Sequence, residues 1–374
     1  MAQNKLYAEI FSEDVYGEKY YLIDNGNKTW IIPEKNMKYG FGILQASNFK
    51  AKLVKIFFPV LRDVIPARKI CKCMPKYLKI NDGIKDIIEK YCKDKYECSV
   101  YYGNLKESIQ NHKAVIQVFN KDKTFFYMKI SEEKTVKDSF EKELTALKIL
   151  KGKNVRNIPV GIGIAKKGSW DIFIQENVAE DNRSCYRFLD KHWRFIADMY
   201  EKTKVKISFE NSDMYEPVMF LKHCVKEETL FGEEDSIMYA IRKTESFLKN
   251  SDFYYSFAHG DFTPKNTCIK NKEVYAFDFE YCIKTATPFF DFFHYICQKS
   301  IMFNDMNIQE TFRAYKKYKS KLYNYCNTPN MLFVSYLLYI IVFYLKRDDK
   351  NTDTRKGQLK FRIELIKKLL QEED

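Results

Sequence analysis

Residues 259–266 read HGDFTPKN, and FDFEY follows at 277–281. Asp261 and Asn266 have four residues between them, and Asp278 comes twelve positions after Asn266 at the end of an apolar, strand-like run. Transfer of a phosphoryl group to a hydroxyl needs this set of groups. One carboxylate orients the attacking hydroxyl and accepts its proton. An amide oxygen and a second carboxylate hold a magnesium ion that bridges nucleotide phosphates. Asp261 is the candidate base, and Asn266 and Asp278 are the candidate metal ligands. A fixed His-x-Asp-x-x-x-x-Asn arises by chance about 0.02 times in a chain of this composition. The bland alternative is a capped polar turn between two buried strands.

The same chemistry makes two demands further upstream. A lysine on the third strand of a small sheet must reach the phosphates, and a glutamate on the next helix must pair with it. Lys129 ends FFYMK, and Glu143 lies fourteen residues later in a helical stretch. Glu141 competes; Glu143 is preferred because it precedes Leu144 and Leu147 on the side that packs. An ordinary surface ion pair is the alternative for both acids. A phosphate-covering loop would begin at Gly103 and Asn104 and run through LKESIQNHK. It has no G-x-G-x-x-G, so a plain hairpin reads equally well there. Gln175 to Asn177 would form the hinge whose backbone meets adenine.

The elements that must position these residues are legible from their periods. ECSVYYG, AVIQVFN and TFFYMKIS alternate as strands, with NKDK as a tight connection. TVKDSFEKELTALKIL is a helix with the stripe Phe140, Leu144, Leu147 and Leu150, its start marked by a capping-box spacing at Thr135 and Asp138. WDIFIQENV adds a strand. After residue 185 the pattern is mainly helical, interrupted by the HGDFTPKN loop and its short flanking strands. His192, like His112, reads as a surface or helix residue. MLFVSYLLYIIVFYL, residues 331–345, reads as a buried helix too short to cross a membrane. In the first 75 residues KYYLIDN, TWIIP and FGILQ read as strands and NGN as a turn, before the helical SNFKAKLVKIFFPVL. NDGIKDIIEKYC places Ile84, Ile87, Ile88 and Tyr91 on one helical face with Asn81 as its N-cap. The expectation is an α+β chain in three parts: an accessory domain over 1–92, a small β-rich lobe over 93–180 and a helical lobe over 181–374.

The 374 residues are 45% hydrophobic and 16% aromatic, enough for a sizeable core, and the net charge is +13. That charge favours anionic partners, although lysines scattered through a Lys- and Ile-rich chain produce the same balance. No recognisable nucleic-acid-binding motif accompanies it, which argues against nucleic acid as a partner. Ten cysteines lack zinc or disulfide-framework spacing and read as buried free thiols in a reducing compartment. No signal-peptide core opens the sequence. A cytoplasmic protein with at most peripheral membrane contact is expected.

HGDFTPKN and FDFEY resemble the aminoglycoside phosphotransferase and choline kinase superfamily, relatives of the protein kinases, over about residues 96–345. Gly260 and Glu280 stand where protein kinases have Arg and Gly, which is similar to the small-molecule branch. The resemblance implies a bilobal protein-kinase-like fold, preceded here by a small α/β N-terminal domain. It implies Asp261 as base, Asn266 and Asp278 as magnesium ligands, Lys129 on the ATP phosphates, and Glu280 as a further aid to metal or substrate. PFFDFFHY carries the likeness on: Asp291 would brace the catalytic loop, His259 would hold its shape through ring hydrogen bonds, and His294 would pack behind it without being a catalyst. The first 90 residues have no counterpart in the common core and look like domains found beside kinase-like domains in bacterial cell-surface polysaccharide clusters. The implied activity is ATP- and magnesium-dependent phosphorylation of a small-molecule hydroxyl on a sugar, amino sugar or amino alcohol. A non-catalytic, pseudokinase-like binding module is the alternative, motivated by the glycine-poor loop. Glu210, Asp213 and Glu216 could attract a cationic acceptor, or be ordinary solvated acids.

Overall fold

In a computed structural model of the chain, the alternating apolar pattern of the first 180 residues forms one antiparallel sheet of eight strands, in the order β3-β1-β2-β4-β5-β6-β8-β7. The structure describes residues 5–26, 28–44, 49–103, 113–178, 185–227, 230, 232–346 and 352–372. They divide into two compact units, Met1–Lys148 with Ile158–Asp181, and Ile149–Asn157 with Asn182–Asp374.

In the first unit the strands are β1 (Phe11–Asp24), β2 (Lys28–Pro33), β3 (Cys73–Ile80), β4 (Glu97–Gly103), β5 (Ala114–Phe119), β6 (Thr124–Ser131), β7 (Gly161–Lys167) and β8 (Trp170–Glu176). The helices are α1 (Lys5–Ile10), α2 (Met37–Gly40), α3 (Phe49–Leu61), α4 (Ile65–Ile70), α5 (Asp82–Tyr91) and α6 (Lys134–Gly152), whose last residues from Ile149 on belong to the second unit. One face of the sheet carries Leu22, Ile31, Val100, Ile116, Met128 and Ile174, and α5 covers it with Ile84 and Ile88. The opposite face of β1 and β2 packs against Phe41 and Phe58.

This corrects the expectation of a separate domain over 1–92. β2 hydrogen-bonds directly to β4, from Lys28 opposite Gly103 to Ile31 opposite Val100. The edge groups of β4 are thereby paired with backbone, and Ile31 joins the same core as Val100. FGILQ is not a strand: Phe41–Ile43 form a 3-10 turn after α2. Gly40 and Gly42 let this turn lie against the sheet, where an added Cβ would come within 2.8 Å of Ser99 and 2.7 Å of Gln117. β3, unread in the sequence because Pro75 interrupts it, occupies the sheet edge, where a missing N–H is tolerated. β7, also unread, is the other edge. Helix α6 begins at Lys134, so Thr135 lies inside its first turn and is not its cap. Its Phe140, Leu144, Leu147 and Leu150 are all buried, as the stripe requires.

The second unit is helical: α7 (Asp190–Thr203), α8 (Tyr215–Lys226), α9 (Glu234–Asn250), α10 (Phe290–Phe303), α11 (Ile308–Leu322), α12 (Pro329–Lys346) and α13 (Thr352–Gln371). Four short strands, β9 (Ser256–Ala258), β10 (Thr267–Lys270), β11 (Glu273–Ala276) and β12 (Ile283–Ala286), pair as β10 with β11 and β12 with β9. Among the described residues α12 is the one helix long and apolar enough to cross a membrane, yet most of it is buried against α8, α9, α10 and α13. All ten cysteines are free thiols.

His192 is a helix residue of α7 but not a surface one. Its ring is fully buried between Phe188, Tyr295 and Phe262, the last belonging to the HGDFTPKN loop. The Leu189 N–H donates to its Nδ1 at 3.0 Å, which requires the neutral ring. Burial, aided by the charge of Lys191, holds its pKa down at about 4. The unfolded chain therefore binds a proton in the window from about 6.5 down to about 4 that the folded chain excludes. Stability falls as pH drops through that window, by about 3 kcal/mol in total from this group. Denaturant unfolding at stepped pH should show the fall in the native chain and a flatter profile in His192→Gln; equal profiles would remove the assignment.

Candidate active site

The HGDFTPKN loop is held by the first turn of α10. Asp291 is buried, and its Oδ2 accepts the His259 N–H at 2.8 Å while its Oδ1 accepts the Gly260 N–H at 3.0 Å. Burial pushes the Asp291 carboxyl upward, and nearby His259 together with the two backbone N–H bonds opposes that shift. Gly260 has φ +81, and a Cβ there would lie 2.0 Å from the Tyr281 carbonyl oxygen. Only glycine satisfies both constraints. The His259 ring spans the loop: the Asp261 N–H donates to Nδ1 at 3.2 Å, so Nε2–H donates to the Phe277 carbonyl at 2.9 Å.

This backbone places the Asp261 carboxylate with both oxygens engaged. Asn266 Nδ2 donates to Oδ2 at 2.6 Å and to the Asp261 carbonyl at 3.1 Å. His294 Nε2 lies 3.1 Å from Oδ1. The Asp261 side chain remains 35% exposed, against 2% for His294. Tyr336, one of the most buried phenols, places its hydroxyl 3.4 Å from His294 Nδ1. His294, buried behind the loop, packs there as a direct partner of Asp261. No spacing rule could have found that contact, because the two residues stand 33 positions apart.

Asn266 and Asp278 are brought together by the β10–β11 hairpin. Its turn residues Asn271 and Lys272 both have positive φ, matching the twist of a two-residue hairpin. The register runs from Lys270 opposite Glu273 to Thr267 opposite Ala276, and the Phe277 N–H continues it onto the Asn266 carbonyl at 3.1 Å. Asn266 and Asp278 therefore flank the open end of one ladder. Asp278 has φ 72, a left-handed conformation that Asp tolerates and that is stored at functional sites. The bond from Asn266 Nδ2 to Asp261 turns the Asn266 amide so that Oδ1 is its remaining donor atom for a hard cation. Glu280 is half-buried on the turn between Asp278 and β12. No group of three or more His, Cys, Asp or Glu converges as a ready-made metal cage among the described residues.

In the first unit, strand alternation turns Met128 and Ile130 into one core and Lys129 to the other face. There Lys129 Nζ sits 2.7 Å from Glu143 Oε2 and 3.0 Å from Oε1, 5.6 Å above the Phe173 ring. Both side chains are buried, whereas Glu141 faces solvent. Phe140, one turn before Glu143, stacks on Phe173 with centroids 5.9 Å apart and fixes α6 against the sheet.

No protein-family profile and no curated protein matches the chain. Solved structures do. A thermostable mutant of aminoglycoside phosphotransferase APH(4)-Ia, in its apo form, superposes with a TM-score of 0.51 at 11% identity, over 76% of this chain and 98% of that one. The same enzyme in a ternary complex with ADP and hygromycin B gives 0.50 at 11% identity, over 76% and 97%. Its ternary complex with AMP-PNP and hygromycin B gives 0.50 at 9% identity, over 77% and 98%. The fold is that of an aminoglycoside phosphotransferase.

Within the aminoglycoside phosphotransferase fold the remaining expected positions are less defined. Gly103 closes β4, and residues 104–112, which include the rest of the expected phosphate loop and His112, lie outside the described residues. Gln175 is buried near the end of β8, its Oε1 without a hydrogen-bond partner, and Asn177 follows half-exposed. Two of the acids considered for a cationic acceptor have structural work. Asp213 accepts the N–H groups of Lys284 and Thr285, each at 2.9 Å, and Glu216 pairs with Lys346 at 2.5 Å.

The buried pair gives a sharp test. Lys129→Met leaves the Glu143 carboxylate buried without its counter-charge, which costs about 3–5 kcal/mol in denaturant unfolding. Lys129→Met with Glu143→Leu should recover most of that loss while leaving the cationic group absent. A double variant no more stable than the single one contradicts the pairing.

Proposed function

We propose that the chain is an ATP- and magnesium-dependent kinase that phosphorylates a hydroxyl of a small molecule: a sugar, amino sugar or amino alcohol, in a setting such as cell-surface polysaccharide metabolism. The observation that carries this reading is the state of Asp261. Asn266 and His294 fix its two oxygens, yet a third of the side chain stays open to an incoming group. A carboxylate so held is oriented before the substrate arrives, which is how phosphoryl transfer is accelerated. The likeness to aminoglycoside phosphotransferases supports the same reading, since one of those structures holds ADP with hygromycin B.

Each residue then has a role. Asp261 accepts a hydrogen bond from the acceptor hydroxyl and takes its proton as the new O–P bond forms and the bond to ADP breaks. Lys129, oriented by Glu143, supplies positive charge to the nucleotide phosphates. Asn266 and Asp278, with Glu280 beside them, would hold magnesium, which when bound would supply charge neutralisation to the phosphates. Gly103, Gln175 and Asn177 contribute to the nucleotide site. His294 positions Asp261 and does not touch the substrate.

Incubation with ATP, magnesium and a panel of amino sugars, sugars and amino alcohols should show acceptor-dependent ADP release. Asp261→Asn keeps the shape but not the base, so turnover should fall by about 10²–10⁴ while the melting temperature holds. Wild-type turnover in that variant would refute the assignment of the base.

A further inference from the structure

The first unit exposes apolar side chains in one place far more than elsewhere. Leu53, Ile56, Phe57, Val60, Leu61, Val64 and Ile65 are all exposed within thirteen consecutive residues, Ile56 to 63% and Val60 to 81%. On α3 the first five span an arc of about 140° at 100° per residue. The helix is anchored by another side, where Phe58 is buried against Tyr21 and Phe41 with ring centroids 5.8 and 6.1 Å away. The outward arc is thus surplus to folding, and a patch of this kind marks an interaction surface.

Its charge says what it meets. Residues 49–72 contain seven basic residues (Lys50, Lys52, Lys55, Arg62, Arg68, Lys69, Lys72) and one acid, Asp63, a net of +6 out of +13 for the whole chain. Beside the apolar arc, a cavity of about 410 Å³ is lined by Arg68, Lys69 and Lys72 together with Ile65, Met74 and Asp24. Exposed aliphatic and aromatic side chains flanked by cations suit a bilayer surface: the apolar arc enters the acyl boundary while the cations meet headgroups. A second copy of the chain would bring two patches of like charge together.

We infer that α3 and α4 form a docking face for anionic membrane lipid, with the cavity at Arg68, Lys69 and Lys72 receiving a headgroup phosphate. This inference is independent of the proposed kinase activity.

Flotation of the full chain with vesicles tests it. Phosphatidylcholine vesicles carrying about 30% phosphatidylglycerol should capture the protein at least about tenfold better than pure phosphatidylcholine at low salt, with the difference shrinking as salt rises. Ile56→Glu with Val60→Glu, both at exposed positions, should lower capture by about tenfold or more without altering the melting curve. Lys69→Glu with Lys72→Glu should reduce the preference for anionic vesicles. Three results overturn the inference: no preference for anionic vesicles, undiminished capture of the Ile56→Glu, Val60→Glu variant, or a wild-type dimer by sedimentation that this variant dissolves, which would assign the face to a second copy.

Discussion

Asp291 stands on the first turn of α10 with both carboxylate oxygens committed to the backbone of the HGDFTPKN loop, one to His259 and one to Gly260. A lone buried carboxylate is costly, and burial does push its pKa upward. Two backbone donors and its place at a helix N-terminus offset that cost. The same helix reaches the loop a second time, because His294 lies three residues after Asp291 and so on the same face. One helix thereby fixes both the backbone around Asp261 and one oxygen of its carboxylate. Gly260 is the steric counterpart: its left-handed backbone lets the chain pass against the Tyr281 carbonyl.

The sheet unit carries a second buried charge arrangement. Lys129 and Glu143 are both inside, and an ion pair in that position is seldom the most stable choice, since apolar residues of similar volume would serve the fold as well or better. Lys129 is paired with Glu143 and lies over Phe173, so its ammonium is held in one place.

Much of this was legible in the sequence because it depends on short spacing or simple periods. Asp261 and Asn266 lie within one loop, Lys129 falls on the third strand-like run, now β6, and Glu143 on the packed side of α6. What was not legible depends on contacts distant along the chain. β2 carries no signal that its partner is β4, some seventy residues on, so the first 92 residues read as a separate domain. FGILQ has strand-like composition, but Gly40 and Gly42 press it into a 3-10 turn against Ser99 and Gln117. His192 has a helical neighbourhood in sequence, and only the aromatic cluster of Phe188, Phe262 and Tyr295 buries it. Amphipathic helices usually bury their apolar face; α3 leaves much of its own in solvent, which no period reveals.

The proposed kinase reading stands or falls on whether Asn266 and Asp278 would hold magnesium for a bound nucleotide. Melting temperature with ATP, in the presence and absence of magnesium, tests it most directly. ATP with magnesium at about 100 times its dissociation constant should stabilise the native chain by about 2.7 kcal/mol, a rise of several °C. Asp278→Ala should lose most of that rise. The absence of any rise with magnesium and ATP, or an equal rise in Asp278→Ala, would contradict the account.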